Sequence, residues 1–178
     1  MGYLELILGS MYSGKSTELL RRVNQLKAIG MRCLVINHAS DTRVDGHHGR
    51  THDGQTFAAI KTSDILLVNT KGYDVVAIDE GQFFNSLRAA VMLMVERQDA
   101  HVIVAGLSGD YKRRPFGELL ELVPLADDVC FKRALCKGCC HPGRLASFTK
   151  RVSSETDTIS VGAEYVPVCR MCYIPVDV

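Results

Sequence analysis

Three groups of residues in this chain have types and spacings that could do chemistry. The first is "GSMYSGKS", which is Gly9, Ser10, Met11, Tyr12, Ser13, Gly14, Lys15 and Ser16. It fits the pattern G-x-x-x-x-G-K-[ST] in full. The two glycines let successive backbone N–H groups curl toward a polyphosphate. The lysine can reach its β and γ phosphates, and the hydroxyl of Ser16 can ligate Mg²⁺. The second group is "VVAIDEGQFF", in which Asp79 and Glu80 end an apolar run. A carboxylate at such a place, beside a phosphate loop, holds the magnesium shell. Glu80 is then a candidate base, taking a proton from an acceptor hydroxyl in a kinase or orienting water in an ATPase. The two acids alone do not separate these reactions.

The third group is made of cysteines. Cys136-x-x-Cys139 and Cys169-x-x-Cys172 offer four thiolates in two tight turns, which suits a closed, structural Zn²⁺ site. "LCKGCCHPG" also contains Cys140 and His141, competitors for the same ion, and the symmetry of two Cys-x-x-Cys pairs favours Cys139. A redox use of the pairs is the other reading, less favoured because there are two of them. Cys33 and Cys130 lie in apolar runs and read as small buried hydrophobes.

These groups need elements to position them. "YLELIL" reads as a buried strand entering the phosphate loop, and Leu19, Leu20, Val23, Leu26 and Ile29 recur at helical spacing after it, with Gly30 as the stop. "RCLVIN", "VVAID" and "HVIVAG" read as further strands, and residues 87–95 as a helix between the last two. Alternating strands and helices imply an α/β domain with a parallel sheet covered on both faces. His38 to Gln55 has no periodicity and reads as a mobile loop. "YKRRPF" reads as either a solvated loop or a substrate-side basic loop. Near Lys132 the character changes to cysteines and short segments. This predicts a phosphate-loop domain over 1–131 and a zinc-binding subdomain over 132–178, too small to fold without metal.

The bulk numbers exclude several classes. The chain has 178 residues, 47% hydrophobic and 23% charged, with a net charge of +1. That balance supplies no field for nucleic acid, and no apolar run approaches a membrane span. "MGYLELILG" lacks the basic flank of a signal peptide. A cytoplasmic protein is expected, and in that reducing setting seven cysteines point to metal rather than disulfides.

In "GSMYSGKSTELLRRV", "DTR…THD", "IDEGQFF", "VIVAGLSGDYKRRPFGELLELVPLAD", "FTKR" and the two cysteine pairs, taken in order, the chain resembles the type II thymidine kinases over nearly its whole length. The resemblance implies a RecA-like phosphate-loop fold with a small zinc-ribbon subdomain carrying a lasso loop. It implies ATP-dependent phosphorylation of the thymidine 5′-hydroxyl, with ATP, Mg²⁺ and structural Zn²⁺, in a homotetramer. Gly9 to Ser16 would hold the phosphates, with Asp41 and Arg43 approaching the nucleotide. Glu80 would accept the proton, with Asp79 on the magnesium side and Gln82 close to the substrate, both among the residues that bind ATP and its phosphates. Phe83, Leu107, Tyr111, Phe116 and Thr149 would surround the nucleoside. Thr158, Ile159, Ser160, Val161, Gly162 and Tyr165 would form the lasso over the base. The chain departs from the family's pattern in Ser10 for the usual proline, Ser108 for a frequent Asp and Tyr111 for the usual Phe. Its lasso is also one residue shorter, without the Gly-Gly pair.

Overall fold

A computed structural model describes residues 1–41, 48–50, 56–139, 142–152 and 165–173. Six strands form one parallel sheet: β1 (Tyr3–Gly9), β2 (Cys33–His38), β5 (Ile60–Thr62), β6 (Val75–Asp79), β7 (His101–Leu107) and β8 (Asp128–Lys132). Their order across the sheet is β5-β2-β6-β7-β1-β8. One strand, β7, therefore separates the phosphate-loop strand β1 from the acidic strand β6, as a RecA-like sheet requires. Registers place Gly9 opposite Leu107 and Lys132, and Asp79 opposite Asn37. The carboxyl ends of β1, β2, β6, β7 and β8 thus open on one edge, where open α/β sheets bind ligands.

Side chains alternate across this sheet, and both faces are apolar. Leu4, Leu6, Ile36, Val76, Ile78, Val102 and Val104 form one core with Phe84, Leu87, Val91 and Met94. Ile7, Val35, Val75, Ala77, Ile103 and Ala105 form the other with Leu19 and Val23. Each fully buried Leu or Ile contributes about 1.5–3 kcal/mol, and a strand apolar on both faces needs a helix on each side. Helix α1 (Lys15–Ala28) covers one face. Helix α2 (Leu87–Met92), the π-turn Leu93–Arg97 and the 3₁₀ stretch Leu119–Leu125 cover the other.

The expected elements are present with small shifts. Helix α1 ends where Gly30, at φ 89°, sends its N–H back to the Lys27 carbonyl at 2.9 Å. Ile29, expected on the apolar face, is 75% exposed and forms the cap instead. The helix expected over 87–95 runs α-helical to Met92 and then widens, with the Gln98 N–H reaching the Leu93 carbonyl. The loop expected over 38–55 contains a strand, β3 (His48–Arg50), which pairs antiparallel with β4 (Thr56–Ala58). Strand β8 was not foreseen, because its apolar run is only Val129, Cys130 and Phe131 and its residues are half-buried to exposed. Cys33 and Cys130, expected buried, are both half-buried.

Beyond β8 come two small antiparallel pairs. Strand β9 (Ala134–Leu135) pairs with β10 (Leu145–Ala146), and β11 (Phe148–Arg151) pairs with β12 (Tyr165–Val168), followed by the short helix α3 (Arg170–Tyr173). Among the described residues no helix is long and apolar enough to cross a membrane.

A polar seam fastens α1 to the sheet. Arg22 pairs with Glu5 on β1, with Glu18 at 2.9 Å and with Asp128 on β8 at 3.2 Å. Glu18 accepts from Arg21 at 2.7 Å as well, and this hydrogen bond, with that from Arg22, holds its carboxyl down at about 2 against an ordinary 4.5. A lowered carboxyl stabilises the fold above its unfolded pKa, and that contribution is lost as pH falls toward the folded value. Arg21 is 53% exposed, so screening keeps the effect near about 1 kcal/mol. We therefore expect Glu18→Gln to lower the urea midpoint at pH 7 and the gap to wild type to close between pH 4.5 and pH 2. A gap independent of pH would show that the carboxylate is not the cause.

Candidate active site and metal centre

The phosphate loop is shaped from both ends. A Cβ at Gly9 would sit 2.2 Å from the Lys132 carbonyl oxygen, so only glycine lets β1 pass this close to β8. Gly14 meets nothing on that test but has φ 77°, the left-handed region that glycine enters without strain. Between them Lys15, 7% exposed, turns its Nζ back to donate to the Ser10 carbonyl at 2.8 Å. Ser13 and Ser16 are buried beside it, and Tyr12, at φ 60°, is half-exposed.

The outer side of the loop is held by the C-terminal hairpins. The Ser10 hydroxyl donates to the Ala146 carbonyl at 3.1 Å, and the Met11 N–H donates to Thr149 Oγ1 at 3.0 Å. Lys137 places its ammonium 4.8 Å from the Tyr12 ring centroid. Thr149, read as a nucleoside contact, is buried and braces the loop.

At the end of β6, Asp79 is 1% exposed and accepts from the Glu80 N–H at 3.0 Å. Glu80 takes a left-handed conformation, φ 54°, ψ 40°, and caps the 3₁₀ turn Gly81–Phe83. Gln82 is buried, donating Nε2 to Glu80 Oε2 at 2.7 Å and accepting the Leu107 N–H at Oε1 at 2.9 Å. Asp41 reaches the same edge: it is buried, and its carboxylate accepts from Asn37, the residue opposite Asp79, at 2.8 Å. Arg43 lies outside the described residues, as do Thr158, Ile159, Ser160, Val161, Gly162, Cys140 and His141.

Around this edge the rings assemble. Phe83 meets Phe116 edge-on at 5.4 Å and His38 at 5.6 Å, while Phe84 is buried in the core. His38 is 8% exposed, and burial pushes its imidazole below the usual range. Tyr111 and Tyr165 both face Arg151, whose guanidinium lies 4.1 Å and 5.1 Å from their ring centroids. In the basic "YKRRPF" loop Lys112, Arg113 and Arg114 are all exposed, and Arg113 stacks over Tyr173 at 4.3 Å.

The sulfurs of Cys136, Cys139, Cys169 and Cys172 all lie within 4.8 Å of one another. A zinc tetrahedron with bonds of about 2.3 Å sets its sulfurs about 3.8 Å apart, so the donor set fits a four-thiolate metal site in number, type and size. Backbone hydrogen bonding from Cys172 draws the Cys169 thiol down to about 7, while burial pushes Cys172 up to about 12. A Cβ at Gly138 would come within 3.2 Å of Cys172 Cβ, which shows how closely the two turns face each other.

The thymidine kinase family model matches residues 2–173 of the chain. The chain belongs to the thymidine kinase family. It is 41% identical over 176 residues to the human cytosolic thymidine kinase, covering 97% of this chain and 73% of that protein. It is 39% identical to the raccoon poxvirus thymidine kinase and 40% to one from monkeypox virus, in each case over 97% of both chains.

Within this family frame the chain adds features that motif reading does not give. Arg151 was missed, although it follows Thr149 by two residues along β11 and the two share the strand's buried face. A cavity of about 700 Å³ lies between Ser10, Ser108, Phe131, Arg133, Phe148 and Thr149. Of the expected site residues Ser10, Thr149 and Cys169 border it, and the Asp79–Glu80 turn does not. Thr149→Val leaves the partly buried Met11 N–H without its acceptor, at a cost of about 1 kcal/mol. The expected outcome is a rise in KM for ATP with a smaller rise for the nucleoside, measured by steady-state kinetics. Unchanged ATP affinity would mean that the brace does not shape the loop.

Proposed function

We propose that this member of the thymidine kinase family transfers the γ-phosphoryl group of ATP to the 5′-hydroxyl of thymidine, using the phosphate loop and the Asp79–Glu80 turn. The observation that carries this reading is their placement at the carboxyl ends of β1 and β6, on either side of β7. The backbone N–H groups from Met11 to Ser16, with the Lys15 ammonium, receive the phosphates. The buried Ser13 hydroxyl, without a protein partner among the described residues, is supportive of a ligand oxygen there. The Ser16 hydroxyl and the Asp79 carboxylate would hold Mg²⁺, which when bound neutralises charge on the β and γ phosphates. Glu80 accepts the 5′-hydroxyl proton as the O5′–phosphorus bond forms and the bond to the ADP oxygen breaks. Asp41 and Arg43 stand on the nucleotide side.

Phe83, Leu107, Tyr111 and Phe116 wall the nucleoside, with Thr149 behind the loop. Thr158, Ile159, Ser160, Val161, Gly162 and Tyr165 close over the base and exclude water. Residues 132–178 act as a subdomain that hangs this lasso from Zn²⁺ held by Cys136, Cys139, Cys169 and Cys172. The protein works in the cytoplasm as a homotetramer.

An assay of ADP release with each deoxynucleoside tests the activity, and we expect ADP and thymidine monophosphate in equal amounts. ATP loss without a phosphorylated nucleoside would overturn the reading. Glu80→Gln should lower kcat by about 10²–10⁴-fold while ATP still binds; an unchanged rate rejects Glu80 as the base. Cys169→Ser should abolish stoichiometric zinc and lower the melting temperature. Full zinc content by mass spectrometry with unchanged melting would remove Cys169 from the ligand set.

A further inference from the structure

The side chain of Gln82 is placed to do something other than meet a nucleotide. It is 2% exposed, and both ends of its amide are engaged by protein. Nε2 donates to Glu80 Oε2 at 2.7 Å, and Oε1 accepts the Leu107 N–H at 2.9 Å. The space around it is cleared by glycines. A Cβ at Gly106 would stand 2.5 Å from Gln82 Oε1, and one at Gly117, where φ is +59°, would stand 2.3 Å from the Gln82 carbonyl oxygen. A neighbouring glycine, Gly81, lies so close to β7 that its Cβ would come within 2.7 Å of Val104 Cγ1. Gly106 thus leaves room for the Gln82 amide, Gly117 for its backbone, and Gly81 for the close approach of the acidic turn to β7.

We propose that Gln82 is the positioning residue for the base: it fixes the Glu80 carboxylate relative to the nucleoside wall by tying it to the Leu107 backbone. This rests on Glu80 being the base, and deepens that reading. Glu80 needs such support. Its left-handed backbone, φ 54°, is a conformation in which side-chain direction is set by the surroundings rather than by a regular helix or strand. Asp79 Oδ1 fixes its N–H, and the Phe83 N–H, at 3.1 Å, fixes its carbonyl. Gln82 holds one oxygen of the carboxylate, Oε2, and so fixes the plane of the group. Leu107 belongs to the proposed nucleoside wall, so one amide sets the distance between wall and base. A displacement of about 1 Å at such a point can cost 10²-fold in rate.

The test is a double-mutant cycle on the full-length enzyme. Gln82→Met keeps length but has neither donor nor acceptor. Gln82→Asn keeps the amide but is one methylene too short to span both partners. Each should lower kcat by about 30–100-fold, with KM for ATP and thymidine within about threefold of wild type. In a Glu80→Gln background the same changes should cost less than about threefold, because the group they position is gone. Melting temperatures identify a variant that fails to fold, and the asparagine form carries the test if the methionine form does. A kcat within twofold of wild type in the folded single variants overturns the proposal. So does an undiminished loss in the Glu80→Gln background, or a loss confined to KM, which would make Gln82 a direct substrate contact. Those outcomes leave the base intact, whereas an unchanged kcat in Glu80→Gln alone removes the base and the positioning role with it.

Discussion

The structure is organised around a lysine ammonium kept almost dry. Lys15 is 7% exposed at the start of α1, where burying a charge is costly unless it is compensated. The compensation comes from folding the loop back on itself, so that the Ser10 carbonyl points inward to Nζ. That inversion has consequences on both sides. Gly14 must enter the left-handed region, and Gly9 must pass within a glycine's width of β8. The Ser10 hydroxyl then faces outward and finds the Ala146 carbonyl, and the next N–H finds Thr149. A loop bent to serve one charge is thereby committed to a second layer of chain more than 130 residues away.

That second layer has little apolar core of its own. Its strands are two to four residues long, and Leu135, Leu145 and Val152 are exposed. What holds it is chemistry of another kind. Four cysteine sulfurs gather its ends, and aromatic rings with arginines fasten it to the sheet domain. Arg113 reaches across to Tyr173, Arg151 reaches Tyr111, and the Tyr173 hydroxyl donates to the Tyr111 carbonyl at 2.7 Å. Of the two cations Arg151 is buried and Arg113 exposed, so the Arg151 contact contributes more because less water competes for it. The Tyr111 ring supplies the stacking face, as a Phe would, and Tyr173 approaches through the Tyr111 backbone carbonyl.

How much of this was legible depended on whether burial left a period in the chain. Strands β1, β2, β6 and β7 are apolar on both faces and could be read almost to the residue. So could α1, which has one dry stripe and a glycine stop. Strand β8 could not be read, because it lies at the sheet's edge with Val129 and Phe131 exposed, and its membership depends on backbone pairing with β1. Short β3 and β4 likewise leave no pattern in a segment rich in Gly, His and Asp. The phosphate loop, the acid pair and the four cysteines were legible because their spacing is itself the mechanism. Their supports were not: Gln82, Thr149 and Arg151 act through contacts with residues distant in sequence, and no local rule links Thr149 to Met11.

Two non-glycine residues at the reacting edge, Tyr12 and Glu80, sit at positive φ, with 60° and 54°. Each such residue costs of order 1–3 kcal/mol and persists only where its surroundings over-determine it. The surroundings here differ in kind. Tyr12 is half-exposed and is flanked by the exposed Lys137 and by the Met11 hydrogen bond to Thr149. Glu80 is clamped between β6 and β7 by the buried Gln82 amide and close-packed glycines. The strain at Glu80 is therefore carried by the sheet, while that at Tyr12 is carried by the layer that the four cysteines gather. Were the proposed zinc bound there, its loss would relax the Tyr12 side before the Glu80 side, because among the described residues no contact of the cysteine turns reaches the Gln82 clamp.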